Sequence, residues 1–205
     1  MRQSIANSIS QRIGAAPDGA LFINSDFSDL GEPATVRRNL NRLIENGSLR
    51  RISNGLYEKP KYSAFLGEPV ASDPDAIAHA YARNFHWTIS PCGNTALNLL
   101  GLSTQVPAIW SYVSDGPYRK YALPDATIEF KHRTNKEISG LSEQTLLLIQ
   151  ALKALGKDNV TTDVIRQLTA KYSASEKRRL QKEASESTDW IFSAIKQICT
   201  WGEKQ

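Results

Sequence analysis

The sequence has few of the residues that build metal sites and disulfide frameworks. Its 205 residues include two cysteines and three histidines, and none of them has the spacing of a metal-ligand set. Cys92 and Cys199 lie far apart in the chain, which predicts free thiols in a reducing compartment. We therefore expect no metal, no cofactor and a cytoplasmic protein.

Long apolar runs are also missing. No stretch approaches the roughly 18 consecutive apolar residues that a membrane span needs. The N-terminal residues have no continuous apolar core of the kind that a signal peptide contains. We therefore expect no membrane partner and no export.

Catalytic motifs are equally scarce. The chain has no phosphate-cradling glycine loop, no paired His-Glu helix motif and no Cys-Cys spacing. Cys92 lies near His86 in sequence and invites comparison with a nucleophile and its base, but no acid that would orient the histidine is evident. The alternative is that Cys92 packs in a turn against its own helix. We expect a protein that is not an enzyme.

The charge balance permits a nucleic-acid partner but does not require one. Lysine and arginine total 25 against 21 acidic residues, so the net charge is +4. The first 60 residues hold eight basic and six acidic residues, a net charge of +2, and the rest of the chain carries the other two charges. Any argument for nucleic acid therefore depends on where the cations lie.

Residues 33–47 have the pattern of a short, complete helix. Pro33 occupies the first turn, apolar residues recur at helical spacing, and Asn46-Gly47 ends the pattern. The opposite face carries arginine and asparagine, which pair with guanine and adenine in the major groove. We expect base or nearby phosphate contacts from four residues of this helix: Thr35, Arg38, Asn41 and Arg42.

The residues around this helix predict a winged helix-turn-helix. Residues 26–31 suit a short first helix and a tight turn. Downstream, Leu49 to Glu58 alternates around Asn54-Gly55, a strong hairpin signal. This hairpin would be the wing, and we expect backbone contacts that fix register on DNA from Arg37, Arg50, Arg51 and Asn54. The alternative is a winged helix that binds only protein.

The rest of the chain predicts a second domain. Residues 1–60 form the DNA-binding domain, 61–71 read as a linker bracketed by prolines, and 72–205 follow as an interaction domain. Strands at 109–114, 118–123 and 127–132 predict an antiparallel meander, and the chain turns helical from about residue 142. The expected fold is α+β, with a winged helix followed by this mixed α/β domain and its helical C-terminus.

Basic residues recur along the predicted strands of the second domain. If these side chains share a face, they form a patch suited to an acidic protein or to further DNA backbone. The alternative is a solvated sheet face. The candidate partner-binding residues are Arg119, Lys120, Lys131 and Arg133, with His132 and Lys136 beside them.

Several motifs resemble those of AbiEi-type antitoxins, from bacterial abortive-infection toxin–antitoxin modules. The helix and hairpin of residues 26–60 resemble the family's N-terminal domain. The run Pro91-x-Gly93-x-x-Ala96-x-Asn98-Leu99-Leu100-Gly101 and its continuation to Pro107 resemble the hallmark of its second domain. Tyr112 to Pro117 resembles the segment that follows this hallmark. The resemblance covers roughly Ile5 to Leu155.

The resemblance implies a protein with two functions. Such antitoxins bind and repress the promoter of their own operon, so the expected partner is double-stranded DNA. They also neutralise a nucleotidyltransferase-like toxin, directly or functionally, in phage defence. The alternative is a stand-alone winged-helix transcriptional regulator whose second domain senses a ligand or dimerises. The sequence leaves a homodimer open.

Overall fold

The chain divides into two compact units, Met1–His86 and Trp87–Gln205. The structure is a computed structural model, and it describes residues 4–65, 67–134, 138 and 140–201. Each unit contains helices together with its own small sheet. The predicted α+β class is therefore confirmed. None of the helices in the described ranges combines the length and apolar character that crossing a membrane requires.

The first unit contains a three-stranded antiparallel sheet in the order β1-β3-β2. A 3-10 turn at Asn24–Phe27 separates the first strand from the second helix. The elements are α1 (Ile5–Ala15), β1 (Leu21–Ile23), α2 (Pro33–Glu45), β2 (Arg50–Ser53), β3 (Leu56–Glu58) and α3 (Pro74–Phe85).

The core of the first unit joins α1 to α2 and the sheet. Ser4 caps α1 through its side chain, and Ile9 and Ile13 lie on one stripe of that helix because they are four residues apart. This stripe packs against a cluster of fully or almost fully buried residues that includes Phe27, Val36 and Leu40. Burial of this apolar area is what holds α2 in place beneath its exposed face.

The first unit extends further along the chain than the sequence indicates. The expected second domain begins at residue 72, whereas the compact unit ends at His86. The reason is that α3 packs against β1, where Arg83 Nη2 donates to the Leu21 carbonyl at 3.2 Å and to Asp26 Oδ2 at 3.1 Å. Residues 61–71 are also not a plain linker, since Tyr62 pairs with Pro69 across a short turn.

Among the described residues, the second unit has a four-stranded sheet in the order β4-β5-β7-β6, and the chain after it is mainly helical. Short 3-10 turns lie at Lys157–Asn159 and Ala184–Glu186. The elements are β4 (Ile89–Pro91), α4 (Asn94–Leu99), β5 (Ile109–Ser114), β6 (Arg119–Ala122), β7 (Thr127–His132), α5 (Glu143–Leu155), α6 (Thr162–Thr169), α7 (Ala174–Glu183) and α8 (Asp189–Thr200).

The predicted antiparallel meander is wrong. β5 pairs with β7 in parallel, and β6 lies outside β7 at the edge of the sheet. The connection from β5 to β6 passes over the end of β7, where the Gly116 carbonyl lies 3.0 Å from His132 Nδ1. Gly116 lies flat against the Trp87 ring, and a Cβ there would come within 2.3 Å of that ring. This close passage lets β7 occupy the position that a meander gives to β6.

The helices of the second unit share one apolar core. The buried face of α8, with Ile191, Ile195 and Ile198, packs with residues of α5, α6 and α7. Glu183 at the end of α7 joins this core to the start of α5. Its Oε2 accepts hydrogen bonds from the Ser142 amide at 3.0 Å, from Ser142 Oγ at 2.7 Å and from the Thr145 hydroxyl.

This acceptor role predicts acid-sensitive stability. Desolvation alone would raise the pKa of Glu183, but the hydrogen bonds from Thr145 and Ser142 outweigh it, so the pKa lies below the usual value of a glutamate. A carboxyl with a lowered folded pKa stabilises the protein above its unfolded pKa, and this contribution is lost as the pH falls through the folded value. We expect Glu183→Gln to lower the free energy of unfolding by about 1 kcal/mol at pH 7.

The difference between Glu183→Gln and the unmodified chain should shrink below pH 4.5. Chemical denaturation at several pH values measures it. The matched control is Glu186→Gln, because Glu186 is exposed in the turn that follows α7. A Glu183→Gln deficit that stays constant down to pH 3 would contradict the assignment.

Candidate nucleic-acid interface

Helix α2 presents a polar face to solvent. Pro33 lies in its first turn, and Gly47 follows it with a φ of 78°, a left-handed conformation that favours glycine. Val36 and Leu40 are buried in the core of the first unit. The opposite side therefore faces water, and its exposed residues include Arg37, Arg38, Asn41 and Arg42.

Thr35 lies at the flank of this exposed face. It is half-buried, and its carbonyl accepts a 2.9 Å hydrogen bond from Asn39 Nδ2. The structure thus gives the predicted contact residues of α2 different positions. Arg38, Asn41 and Arg42 are exposed to solvent, whereas Thr35 is only partly exposed.

The β2–β3 hairpin forms where the sequence predicts it. Gly55 adopts a φ of 76° at its turn, and Asn54 beside it is exposed. The hairpin is held to the start of the 3-10 turn, because Tyr57 Oη donates to Asn24 Oδ1 at 3.3 Å. A Cβ at Gly55 would lie 3.1 Å from the side-chain nitrogen Nδ2 of Asn24. Asn24 is therefore an anchor of the hairpin tip, a role that no local sequence signal indicates.

Arg51 connects the hairpin to α2. Its Nη2 donates to Asn41 Oδ1 at 2.5 Å, and its guanidinium carbon lies 5.8 Å from the centre of the Tyr57 ring. Both Arg51 and Asn41 remain exposed. One continuous polar surface therefore contains the helix residues Arg38 and Arg42 together with Arg51 from the hairpin.

Arg50 points the other way. It forms an ion pair with Glu58, whose carboxylate is almost completely buried, through Nε at 2.9 Å and through Nη2. The same guanidinium donates to Ser72 Oγ at 2.9 Å and to the Val70 carbonyl at 3.2 Å. The expected DNA-backbone contact from Arg50 is therefore not favoured, because its Nε and Nη2 groups bond inside the first unit.

A small cavity of about 200 Å³ lies at the start of α2. Its lining includes the exposed residues Ser25, Ser28 and Arg37 together with apolar residues such as Val36. Ser25 and Ser28 lie in a 3-10 turn and in the residue that follows it rather than on α2, so no helical pattern in the sequence marks them.

The basic residues of the second unit do not form one patch. The strand register places Lys120, Glu129 and Lys131 on one side of the sheet and Arg119 on the other. Lys131 Nζ lies 3.3 Å from Glu129 Oε2, so its charge is paired. Arg133 follows β7 and donates to the His132 carbonyl at 2.9 Å. The single four-residue patch is therefore wrong, and Lys136 lies outside the described residues.

Cys92 is packed as an apolar side chain. It is 7% exposed and contacts a cluster that contains Val113 and Leu146. Desolvation by burial raises the pKa of the Cys92 thiol, although Lys131 and Arg133 oppose that shift. The thiol is therefore protonated at neutral pH. Among the residues that the structure describes, no cluster of histidine, cysteine and acidic side chains could hold a metal ion.

The run from Pro91 to Pro107 forms one self-contained loop around α4. Gly93 and Gly101, before and after this helix, adopt φ values of 59° and 68°. Asn98 Nδ2 donates to the Gln105 carbonyl at 3.0 Å and so closes the loop. Thr95 Oγ1 accepts from the Ser111 amide at 2.8 Å, which ties the loop to β5.

Comparisons with known proteins place the chain in a family whose function is not assigned. A family model described as "Family of unknown function (DUF6088)" matches residues 8–180. The crystal structure of the RV2827C protein from Mycobacterium tuberculosis is similar at 14% identity and a TM-score of 0.42, over 96% of this chain and 76% of that chain. No curated protein matches the chain.

The opposite orientations of Arg50 and Arg51 predict unequal losses of stability when each is substituted. We expect Arg50→Ala to lower the free energy of unfolding by about 2 kcal/mol, because it leaves the Glu58 carboxylate buried without its cation. Arg51→Ala removes an exposed hydrogen bond to Asn41 and an exposed contact with the Tyr57 ring, so we expect a smaller loss, about 0.5 to 1 kcal/mol. Urea denaturation of the two variants measures the difference. Equal destabilisation by both would show that Glu58 does not depend on Arg50.

Proposed function

The chain belongs to the family of unknown function DUF6088, and we propose that its first unit is a winged helix-turn-helix that binds double-stranded DNA. The proposal rests on one observation. The exposed face of α2 and the adjoining hairpin together present Arg38, Asn41, Arg42 and Arg51 on one surface. A helix with such a face has the size and the donor groups that the major groove accepts.

Arg51 has a specific role in this proposal. Its hydrogen bond to Asn41 Oδ1 fixes the orientation of the Asn41 amide. Asparagine reads adenine with its oxygen and nitrogen together, so the direction of the amide decides which base edge it matches. Arg51 therefore orients a base-reading side chain in addition to meeting phosphate itself.

The remaining contacts are to the DNA backbone. Asn54 at the hairpin turn and Arg37 at the flank of α2 are exposed, and the backbone contacts of the interface come from them and from Arg51. Thr35 contributes from its half-buried position at the edge of the helix. Arg50 is left out of this set because its Nε and Nη2 groups bond to Glu58, Ser72 and Val70.

We further propose that the protein is an antitoxin that acts in the bacterial cytoplasm. It represses its own operon and neutralises a nucleotidyltransferase-like toxin, directly or functionally. The support is the resemblance of residues 91–107 and 112–117 to AbiEi-type antitoxins. In the structure, the residues of the first motif form one closed loop through Asn98 and Thr95, which is consistent with a motif maintained as a unit.

DNA binding is tested with fragments of the operon's own promoter. We expect Arg38→Ala and Arg42→Ala each to cost about 1–3 kcal/mol if the side chain reads a base, and to relax specificity at one position. Arg37→Ala should weaken binding to all sequences and lower the slope of log K against log salt by about 1. Fluorescence anisotropy over a salt series measures both effects.

Arg178→Ala is the matched control for these variants. Arg178 is an exposed arginine on α7, in the second unit, and should leave affinity and salt dependence unchanged. Arg51→Ala should alter the base preference at the position that Asn41 reads. Salt-independent binding, or equal losses from Arg38→Ala and Arg178→Ala, would refute the proposed interface.

The antitoxin function is tested by growth of a bacterial host that expresses the neighbouring nucleotidyltransferase-like gene. The full chain should restore growth, and so should the Arg38→Ala/Arg42→Ala variant, because neutralisation is assigned to the second unit. Asn98→Ala, which opens the loop of residues 91–107, should reduce the rescue while circular dichroism shows a folded protein. Absence of toxicity, or of rescue by the full chain, would leave a DNA-binding regulator without an antitoxin role.

A further inference from the structure

Strand β6 is an exposed edge of the second sheet. The strand order β4-β5-β7-β6 leaves β6 with one hydrogen-bonded neighbour. Three of its four residues are exposed, namely Arg119, Lys120 and Ala122. The opposite edge differs, because β4 is buried throughout and ends in Pro91. A proline has no amide hydrogen to donate, so β6 is the edge that offers backbone groups to a partner.

The register of the β6–β7 hairpin shows which backbone groups point outward. The Leu123 amide donates to the Ala126 carbonyl at 2.8 Å, which makes these two residues a hydrogen-bonded pair. Hydrogen-bonded pairs alternate along an antiparallel ladder, so Tyr121 with Ile128 is the next one. Lys120 and Ala122 lie between such pairs. Their amide and carbonyl groups therefore point away from β7.

The charges within β6 itself have one sign, and Glu129, which lies opposite Lys120 on β7, forms an ion pair with Lys131. No acidic residue lies between Pro117 and Pro124. Arg119 and Lys120 are adjacent in the strand, so their side chains lie on opposite faces of the sheet. Among the described residues, neither Arg119 nor Lys120 has a carboxylate at ion-pair distance. Each face of a strand laid beside β6 would therefore meet one cation.

We propose that β6 is a docking edge for an extended acidic segment of a partner protein, which adds to the sheet as a fifth strand. The edge offers both amide donors and carbonyl acceptors at strand spacing, and another peptide strand satisfies both kinds of group in register. Phosphate groups accept hydrogen bonds but cannot donate to the carbonyls. Basic side chains at an edge discourage pairing with uncharged apolar strands, which restricts the partner to one that carries acidic residues.

The positions of the cations define the partner more closely. Because Arg119 and Lys120 face opposite sides, the matching segment carries two adjacent acidic residues, one for each face. A second copy of this chain would instead bring two further cations within about 10 Å, where they are only partly screened. The edge thus favours a foreign acidic strand over self-association.

The first test uses nuclear magnetic resonance of the full chain with a defined probe. The probe is a capped eight-residue peptide of valine and threonine with two adjacent glutamates at its centre; its counterpart carries two lysines instead. We expect the glutamate probe to slow hydrogen exchange at the amides of Lys120 and Ala122. The amides of Tyr121 and Leu123 should change little, because they already donate within the β6–β7 hairpin.

Two variants separate strand pairing from general charge attraction. Ala122→Pro removes one outward amide and leaves the β6–β7 hydrogen bonds intact. It should therefore lower the affinity for the glutamate probe about fivefold, which corresponds to the loss of one net hydrogen bond. Arg119→Glu should shift the preference toward the lysine probe. Arg178→Glu on α7 is the matched charge control and should leave the preference unchanged. Thermal melting checks that each variant is folded.

Three outcomes would overturn the proposal. The glutamate and lysine probes could protect the two amides equally. The amides could become protected without any probe as protein concentration rises, with the effect lost in Ala122→Pro, which would make a second copy the occupant. A DNA duplex could displace the probe from this edge, which would make it a nucleic-acid surface. Because none of these variants touches α2, failure here is distinguishable from failure of the DNA-binding proposal.

Discussion

The organisation of the first unit depends on one buried carboxylate. Glu58 ends β3 with only 3% of its surface exposed, and a buried charge must be paired and hydrogen-bonded. Arg50 and Ser72 meet this requirement, and through them β2 and residues 70–72 are drawn against the end of β3. Side chains alternate along a strand, so fixing Arg50 inward directs Arg51 outward toward α2. The interior ion pair thereby determines which arginine reaches the exposed polar face.

Local patterns predicted the parts of the fold that local physics decides. Helix α2 and the Asn54-Gly55 hairpin follow from apolar spacing, helix-end residues and turn chemistry, and all three act over a few residues. The choice between Arg50 and Arg51 was not predictable in this way. It depends on Glu58, which lies across the hairpin, and on Ser72, which is more than twenty residues away along the chain.

The second unit shows where such patterns fail. Residue patterns predict three of its strands at nearly the observed positions but not the strand order, which includes a close contact of Gly116 with Trp87 that no spacing rule reveals. The predicted basic patch on this sheet fails for the same reason, because the register between neighbouring strands decides which cations lie on the same face. For α2, the periodicity of a single helix is enough to identify the exposed polar residues. For the sheet, the same identification requires the pairing of strands that lie far apart in the sequence.

The position of β6 also has a consequence for how the sheet assembles. The turn of the β6–β7 hairpin consists of Pro124 and Asp125, since Leu123 donates to Ala126. Hairpins with such short turns form in microseconds. The parallel pairing of β5 with β7 joins residues 18 positions apart, such as Ile109 and Thr127, and closing that longer loop costs more chain entropy. The chain can therefore form the β6–β7 hairpin before β5 pairs with β7. β7 is the last of these strands in the sequence, but β5 is the last of the three to join the sheet.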